Sequence, residues 1–355
     1  MRVAILTNAF PPDARGGAGR IAFEQAKLLR TAGCEVRVWR PHIAWFSETP
    51  IKRLWRHLRD LSARKNVAQE ISAWQPDALI THNLTGCGFA TPRQVQRKGV
   101  RWIHTLHDVQ LFDPSGRLVD ARILTPWQIF WSLLRQIALG QPDAVVSPTA
   151  WLMRRHRRRG FFLGSQTRCE TMPNPDMPPE HHERSAHVPM RLLFVGRVSR
   201  DKGSRLLAGL VQQLKFPYTL TIIGVGPDVP ALRSLSTNVS CLGELPAESV
   251  RAWMMQSDVL LAPSRIEENQ PTVILEAASI GLPVIASHKG GIVETLGRAG
   301  ALCAPENPPA WIEVLEEWRD AGVYARQVAR MEELAQRYDP QVYLSRLLSL
   351  LKSKR

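Results

Sequence analysis

Two glutamates stand eight positions apart in RIEENQPTVILEAASIGLPVIAS (265–287), Glu268 in a polar stretch and Glu276 inside the apolar run VILEAA. A lone carboxylate among apolar residues needs a partner or a polar cavity. Pro271 suits the first position of a helix, which runs as TVILEAASI over Thr272–Ile280 and stops at Gly281, with Pro283 opening a strand. That helix is apolar nearly all round and should be buried, which makes Glu276 anomalous. Thr272 lies one turn before Glu276 on the same face. A helix N-terminus after a strand-end loop offers free N–H groups and the positive dipole end to an anion, so a diphosphate could sit there. An ionised carboxylate one turn deeper suits two vicinal hydroxyls, and Glu268 in the loop above could serve a sugar in the same way. The residue types leave two other readings open: Glu268 as an acid favoured by the helix dipole, and Glu276 as half of a buried salt bridge.

Further chemistry-bearing residues follow predicted strands. LLFVGRVSRDKG (192–203) carries Gly196, Arg197 and Lys202. Two cations there could neutralise a leaving diphosphate, and either alone reads equally well as a surface charge on a turn. TIIGVGP (221–227) holds a GxG that by itself marks a tight turn. In FPPDARGGAGR (10–20), Gly16 and Gly17 permit positive φ and close approach of backbone to ligand; a flexible loop explains them equally. His107 ends a strand in HTLHD (104–108), a position open to catalysis or to a structural histidine. His82, Asn83 and Asn174 are weaker candidates at other strand or loop ends. No D-x-D motif occurs, so a metal-bridged diphosphate is not suggested, and no metal or other cofactor is expected.

The elements that must position these residues alternate along the chain. Strands are predicted at 2–7, 34–40, 77–82, 101–107 and 143–148, then at 191–197, 220–226, 239–243, 259–264 and 283–287. Helices are predicted between them at 18–31, 67–74, 127–139, 206–214, 246–256 and 272–280. Apolar strands alternating with helices imply an α/β fold with parallel sheets covered on both faces. The 355 residues suit two domains. The boundaries fall at 1–175 and 190–338, joined by a proline-rich polar linker at 176–189, with an amphipathic helix at 339–355 expected to pack back on the first domain. Two doubly wound domains would place ligands at the carboxyl ends of their strands, facing a shared cleft.

Composition narrows the class. Five scattered cysteines without a CxxC pair fit a reducing cytosol and argue against a disulfide framework or a zinc site. The net charge of +14 is lopsided: residues 1–185 hold 27 basic and 15 acidic side chains, residues 186–355 hold 19 and 17. In IKRLWRHLRDLSARK (51–65), read as one helix, Ile51, Leu54, Trp55, Leu58 and Leu61 share a face, with basic residues mostly elsewhere. RRHRRRG (154–160) adds a second basic cluster. This is the pattern of an interfacial helix on an anionic membrane, and equally of a packed helix with a solvated basic face. The apolar stretch 127–139 is too short and too interrupted to span a bilayer and reads as a domain helix. No zinc finger or aromatic-interleaved sheet points to nucleic acid.

EENQPTVILEAASIGLPVIAS resembles the E-x7-E signature of the retaining GT-B glycosyltransferases of family 4 (group 1). The resemblance extends over nearly the whole chain. It implies a GT-B fold of two Rossmann-like domains facing a central cleft, the first binding the acceptor and the second the nucleotide sugar. In the family the first glutamate contacts the transferred sugar and the second the nucleotide ribose, positions held here by Glu268 and Glu276. The usual Gly-Phe after the first glutamate is Asn269-Gln270 in this chain. The resemblance further implies a phosphate clamp at Gly196, Arg197 and Lys202, donor contacts along Asn269–Thr272, a Gly16-Gly17 loop across the cleft from the donor phosphates, and His107 near the reacting sugar.

The expected function is therefore transfer of a hexose from a nucleotide diphosphate sugar to a glycan or lipid-linked acceptor, with retention, in bacterial cell-surface polysaccharide or glycolipid biosynthesis. The expected location is cytoplasmic, with peripheral contact to the inner face of an anionic membrane. The alternatives are a nucleotide-sugar epimerase of the same architecture and a basic membrane- or nucleic-acid-binding module.

Overall fold

Short aliphatic runs bounded by glycine, proline and aspartate pair in parallel into two sheets, one in each of two units. The computed structural model describes residues 1–11, 17–41, 49–113 and 125–353. One unit holds the chain up to Pro175 together with the segment from Pro340 onward, and the other holds Asp176–Asp339.

In the first unit the strands are β1 (Arg2–Leu6), β2 (Glu35–Trp39), β3 (Ala78–Thr81), β4 (Arg101–Thr105), β5 (Ala144–Ser147) and β6 (Arg168–Thr171). Their order is β2-β1-β3-β4-β5-β6, every neighbour parallel. Alternate residues enter opposite layers, as the pleat requires. Leu79, Trp102 and Val145 meet Ile71, Val95 and Leu152 on one face. On the other, Ile80, Ile103 and Val146 meet Leu29 and Leu347. Leu347 belongs to the helix Pro340–Lys352, which buries Tyr343, Leu344, Leu347, Leu350 and Leu351 at helical spacing. Arg101 holds that helix's end by donating to the carbonyls of Leu350 and Ser353, each at 2.7 Å.

The second unit repeats the scheme with β7 (Met190–Val195), β8 (Tyr218–Ile223), β9 (Val239–Gly243), β10 (Val259–Ala262), β11 (Val284–Ser287) and β12 (Ala301–Cys303). Their order is β12-β11-β10-β7-β8-β9, again parallel. Strand order reverses between β1 and β3 in one sheet and between β7 and β10 in the other. Such reversals open a crevice at the carboxyl ends of the strands.

The structure corrects several expectations. Edge strands β6 and β12 were not anticipated; β6 is the polar, partly exposed RCET and β12 only three residues long. The helix expected at 51–65 is Pro50–Arg59, followed by a separate helix Lys65–Ala73. The break lies at Asp60, whose buried carboxylate accepts from the Gly86 N–H at 2.6 Å and from Arg64 at 2.8 Å. Residues 176–189 lack regular structure, yet they are fastened to the second unit instead of linking freely. Arg184 donates to the carbonyls of Ile280, Ser257 and Met254, and His187 pairs with Asp258 at 2.6 Å.

Candidate functional site

The two ends of the switch point in the second unit touch backbone to backbone. After β7 the chain makes a turn at Arg200–Lys202, and Gly203 (φ +93°) leads into the helix Ser204–Gln213. A Cβ on Gly203 would collide with the carbonyl of Pro263, just beyond β10. This approach brings Lys202 to Glu268: the ammonium lies 2.5 Å from Oε2, and the Ser264 hydroxyl donates to Oε1. Both side chains of the ion pair are about one-quarter exposed or less. Arg197 is turned to Asp201, which also accepts from the Ser199 hydroxyl. Gly196 (φ +146°) adopts a conformation that favours glycine, and a Cβ there would meet nothing closer than the Phe194 ring at 3.9 Å.

A second glycine pair sets the loop carrying Glu268. Gly290 and Gly291 follow β11; Gly291 N–H donates to the Glu268 carbonyl at 2.7 Å, and a side chain on Gly291 would strike the Asn269 carbonyl. Lys289 donates to the Arg265 carbonyl at 2.9 Å. These residues were missed in the sequence, although a Gly-Gly pair separated by two residues from a predicted strand was a visible signal. Asn269 and Gln270 are buried. The Gln270 side chain bonds to Tyr338, whose hydroxyl donates to the Thr295 carbonyl at 2.7 Å.

The helix after this loop is Thr272–Ala278, with Pro271 as the extended capping residue, so Pro271 precedes the helix where the sequence reading put it inside. Nor is the helix buried all round: Ile274, Leu275, Ala277 and Ala278 are buried, while Thr272, Val273 and Glu276 form a half-buried face. Glu276 is thus no stranded core charge. Among the described residues no group of three or more histidine, cysteine or carboxylate side chains could hold a metal ion.

His107 belongs to the first unit, just past β4. Its Nε2 lies 2.7 Å from Nδ1 of His82, which follows β3, and the two rings stack with centroids 5.0 Å apart. Beside them Asn83 donates to the Asp108 carboxylate at 3.0 Å. Burial lowers His107 to about 4 and His104 to about 3, and drives His82 well below the ordinary imidazole value, so all three are neutral at pH 7. Burial also raises the Asp108 carboxyl. Gly17 opens the helix Gly17–Thr31, and Gly16 lies outside the described residues. Asn174 is buried near the end of this unit.

Two helices of the first unit turn several large apolar side chains outward. On Pro50–Arg59, Ile51 is 70% exposed and Trp55 68%, with Leu54 and Leu58 also exposed, while His57 is buried. On Pro126–Leu139, Trp127, Ile129, Phe130, Leu133 and Ile137 are exposed, while Gln128, Ser132 and Arg135 are buried together with Trp131 and Leu139. The helices meet through their inner sides: the His57 ring packs edge-on to Trp131 at 5.8 Å, and Nδ1 of His57 lies 3.4 Å from Arg135. Arg135 is sandwiched between Phe89 and Trp131, and its burial lowers it to about 10. Lys52 and Arg59 on the first helix are exposed, as are Arg154, Arg157 and Arg158. The Gln136 side chain contacts the Arg159 carbonyl at 2.5 Å, which ties that arginine-rich turn to the second helix. No helix among the described residues is long and apolar enough to cross a membrane.

Comparison with known proteins gives a consistent picture. The profile of Glycosyltransferase Family 4 matches residues 15–175, and that of Glycosyl transferases group 1 matches residues 189–319. An uncharacterised 42.6 kDa protein in the cps region of Klebsiella pneumoniae is 27% identical over 255 residues, 69% of this chain and 67% of that one. The amylovoran biosynthesis glycosyltransferase AmsK of Erwinia amylovora is 31% identical over 126 residues, 31% of this chain and 30% of its own length. Among solved structures, HepE of Anabaena, crystallised with UDP, covers 100% of both chains at a TM-score of 0.72 and 15% identity. That likeness shows the fold.

Proposed function

Because the chain belongs to the group 1 glycosyltransferases, we propose that it moves a hexose from a nucleotide diphosphate sugar to a glycan or lipid-linked acceptor with retention of configuration. The observation that carries this reading is the Lys202–Glu268 pair at the β7/β10 switch point. A carboxylate beside an ammonium there suits a sugar hydroxyl next to a diphosphate. Lys202 and Arg197 would stabilise the charge that develops on the departing diphosphate, the role a metal ion fills elsewhere. Glu268 would accept from the transferred sugar and Glu276 from the ribose, with Gly196 giving the phosphates close approach to the backbone. The transition state would be oxocarbenium-like, with the leaving diphosphate taking the proton of the attacking acceptor hydroxyl. His107 would accept a hydrogen bond from a substrate hydroxyl. HepE has been crystallised with UDP-glucose, which supports the donor class. AmsK and the cps-region protein support a place in cell-surface polysaccharide assembly.

The acceptor is proposed to be met at an anionic membrane face, where the outward apolar residues of Pro50–Arg59 and Pro126–Leu139 would enter the headgroup region and the neighbouring arginines would meet lipid phosphates.

A panel of UDP-, GDP-, ADP- and dTDP-sugars tests the transfer reading, first by thermal shift and then by release of nucleoside diphosphate. A true donor should raise the melting temperature, since it binds only the native state. A chain that binds and turns over no member of the panel would overturn the assignment.

A further inference from the structure

A buried chain of hydrogen bonds in the first unit runs from the C-terminal helix to His107. The side-chain amide nitrogen of Gln25 donates to the Tyr343 hydroxyl at 2.7 Å. The Gln25 amide oxygen lies 3.1 Å from Nε2 of His82, and Nδ1 of His82 lies 2.7 Å from Nε2 of His107. Gln25 and His82 are fully buried and Tyr343 nearly so, which makes each polar atom's partner matter.

With the Gln25 amide oxygen toward His82, donor and acceptor rules fix the direction of every link. An amide oxygen can only accept, so His82 must carry its proton on Nε2. A neutral imidazole has one N–H, which leaves Nδ1 of His82 as an acceptor. The short contact then requires His107 to donate from Nε2, and the second nitrogen of His107 becomes the acceptor. Burial keeps both rings neutral, so no second proton relaxes this logic. Burial also pushes the Tyr343 hydroxyl up, so it stays protonated. Turning the Gln25 amide over would reverse each step and put a proton on Nδ1 of His107.

We propose that Gln25, anchored by Tyr343 with its amide oxygen toward His82, fixes through His82 the tautomer of His107, so that Nδ1 of His107 is its hydrogen-bond acceptor. Gln25, His82 and Tyr343 are positioning residues in this account. In that tautomer Nδ1 selects a partner bearing O–H or N–H and rejects a carbonyl or phosphate oxygen. Only this last step, the substrate hydroxyl that Nδ1 would meet, rests on the glycosyl-transfer reading. Tyr343 lies on the Pro340–Lys352 helix, so the end of the chain would set the chemistry of a strand-end histidine far from it in sequence.

Full-length protein labelled with 15N at histidine tests the proposal through two-bond 1H–15N correlation spectra at pH 7.5, with His82→Asn and His107→Asn used for assignment. Both rings are expected to be neutral with the proton on Nε2. In Tyr343→Phe the amide loses its anchor, and the His107 nitrogen shifts should move toward those of a tautomer mixture. A His107 that carries its proton on Nδ1, that is cationic at pH 7.5, or whose shifts are the same in Tyr343→Phe would overturn the proposal. If Tyr343→Phe does not fold, the wild-type spectrum alone decides. The spectra need no donor or acceptor, so their outcome is separate from that of the donor panel.

Discussion

Lys202 and Glu268 lie 66 residues apart in the chain, yet the ammonium sits 2.5 Å from the carboxylate. The pair forms because Gly203 lets the turn after β7 pass directly against Pro263 at the end of β10. Gly290 and Gly291 clamp the Glu268–Asn269 backbone from the other side. Glycines at points of backbone contact therefore hold the two charges in register, and each can be tested apart from the chemistry.

Gly203→Ala should lower stability well beyond the ordinary cost of a positive-φ alanine, about 1 kcal/mol, because its methyl group meets the Pro263 carbonyl. Gly33→Ala is the control: φ is +79°, and nothing lies within 4 Å of the added Cβ. Urea unfolding should give Gly203→Ala a clearly larger loss than Gly33→Ala. Equal losses would mean that the turn and the strand end are not in contact.

Acid should unfold the first unit early. His104, His107 and His156 are held near 3, 4 and 4 by burial, below the unfolded value of 6.5. Their neutral forms contribute stability that is fully present above pH 6.5 and lost as pH falls toward 4, because the unfolded chain takes up the protons first. Each imidazole accounts for roughly 2 kcal/mol by pH 5. Melting temperatures measured from pH 7.5 to 4.5 should fall steeply below 6.5, and His156→Gln should flatten the slope. A flat profile over that range would contradict the burial of these rings.

Vesicle binding should depend on both halves of the exposed face. The wild-type protein should sediment with vesicles containing phosphatidylglycerol, less so at high salt. Phe130→Ser with Leu133→Ser should weaken binding at least about tenfold by loss of apolar burial. Both positions are exposed, so the melting temperature should hold. Concentration-dependent dimers in place of vesicle binding would identify a second copy of the chain as the occupant of this face.

Much of this arrangement was legible in the sequence. The strands anticipated in each half appear in place, because apolar runs between glycine, proline and aspartate leave few other options. Lys202 and Glu268 stood out as charges following predicted strands, but their direct pairing did not, since it depends on a backbone contact between distant segments. The Gln25–Tyr343 bond was equally invisible: a glutamine on an ordinary amphipathic helix and a tyrosine near the chain end share no local signal. The helix Pro126–Leu139 was legible as a domain helix, but its buried face was not. Its periodicity shows which residues share a face but not which face turns inward, and here the buried side carries Gln128, Ser132 and Arg135 beside Trp131 and Leu139. Glu276 seemed stranded in an apolar helix only because the half-buried Thr272–Val273–Glu276 face cannot be separated from the core face by composition.

Lys202 and Glu268 are proposed to act on a nucleotide diphosphate sugar. The most direct measurement is release of nucleoside diphosphate from the donor that stabilises the wild-type protein, compared with Lys202→Ala and Glu268→Ala. The ion pair is partly exposed and contributes at most about 1 kcal/mol to folding, so both variants should keep the wild-type fold and melting behaviour. Each is predicted to lose turnover by about 100-fold or more. Near wild-type turnover in either folded variant would contradict the account.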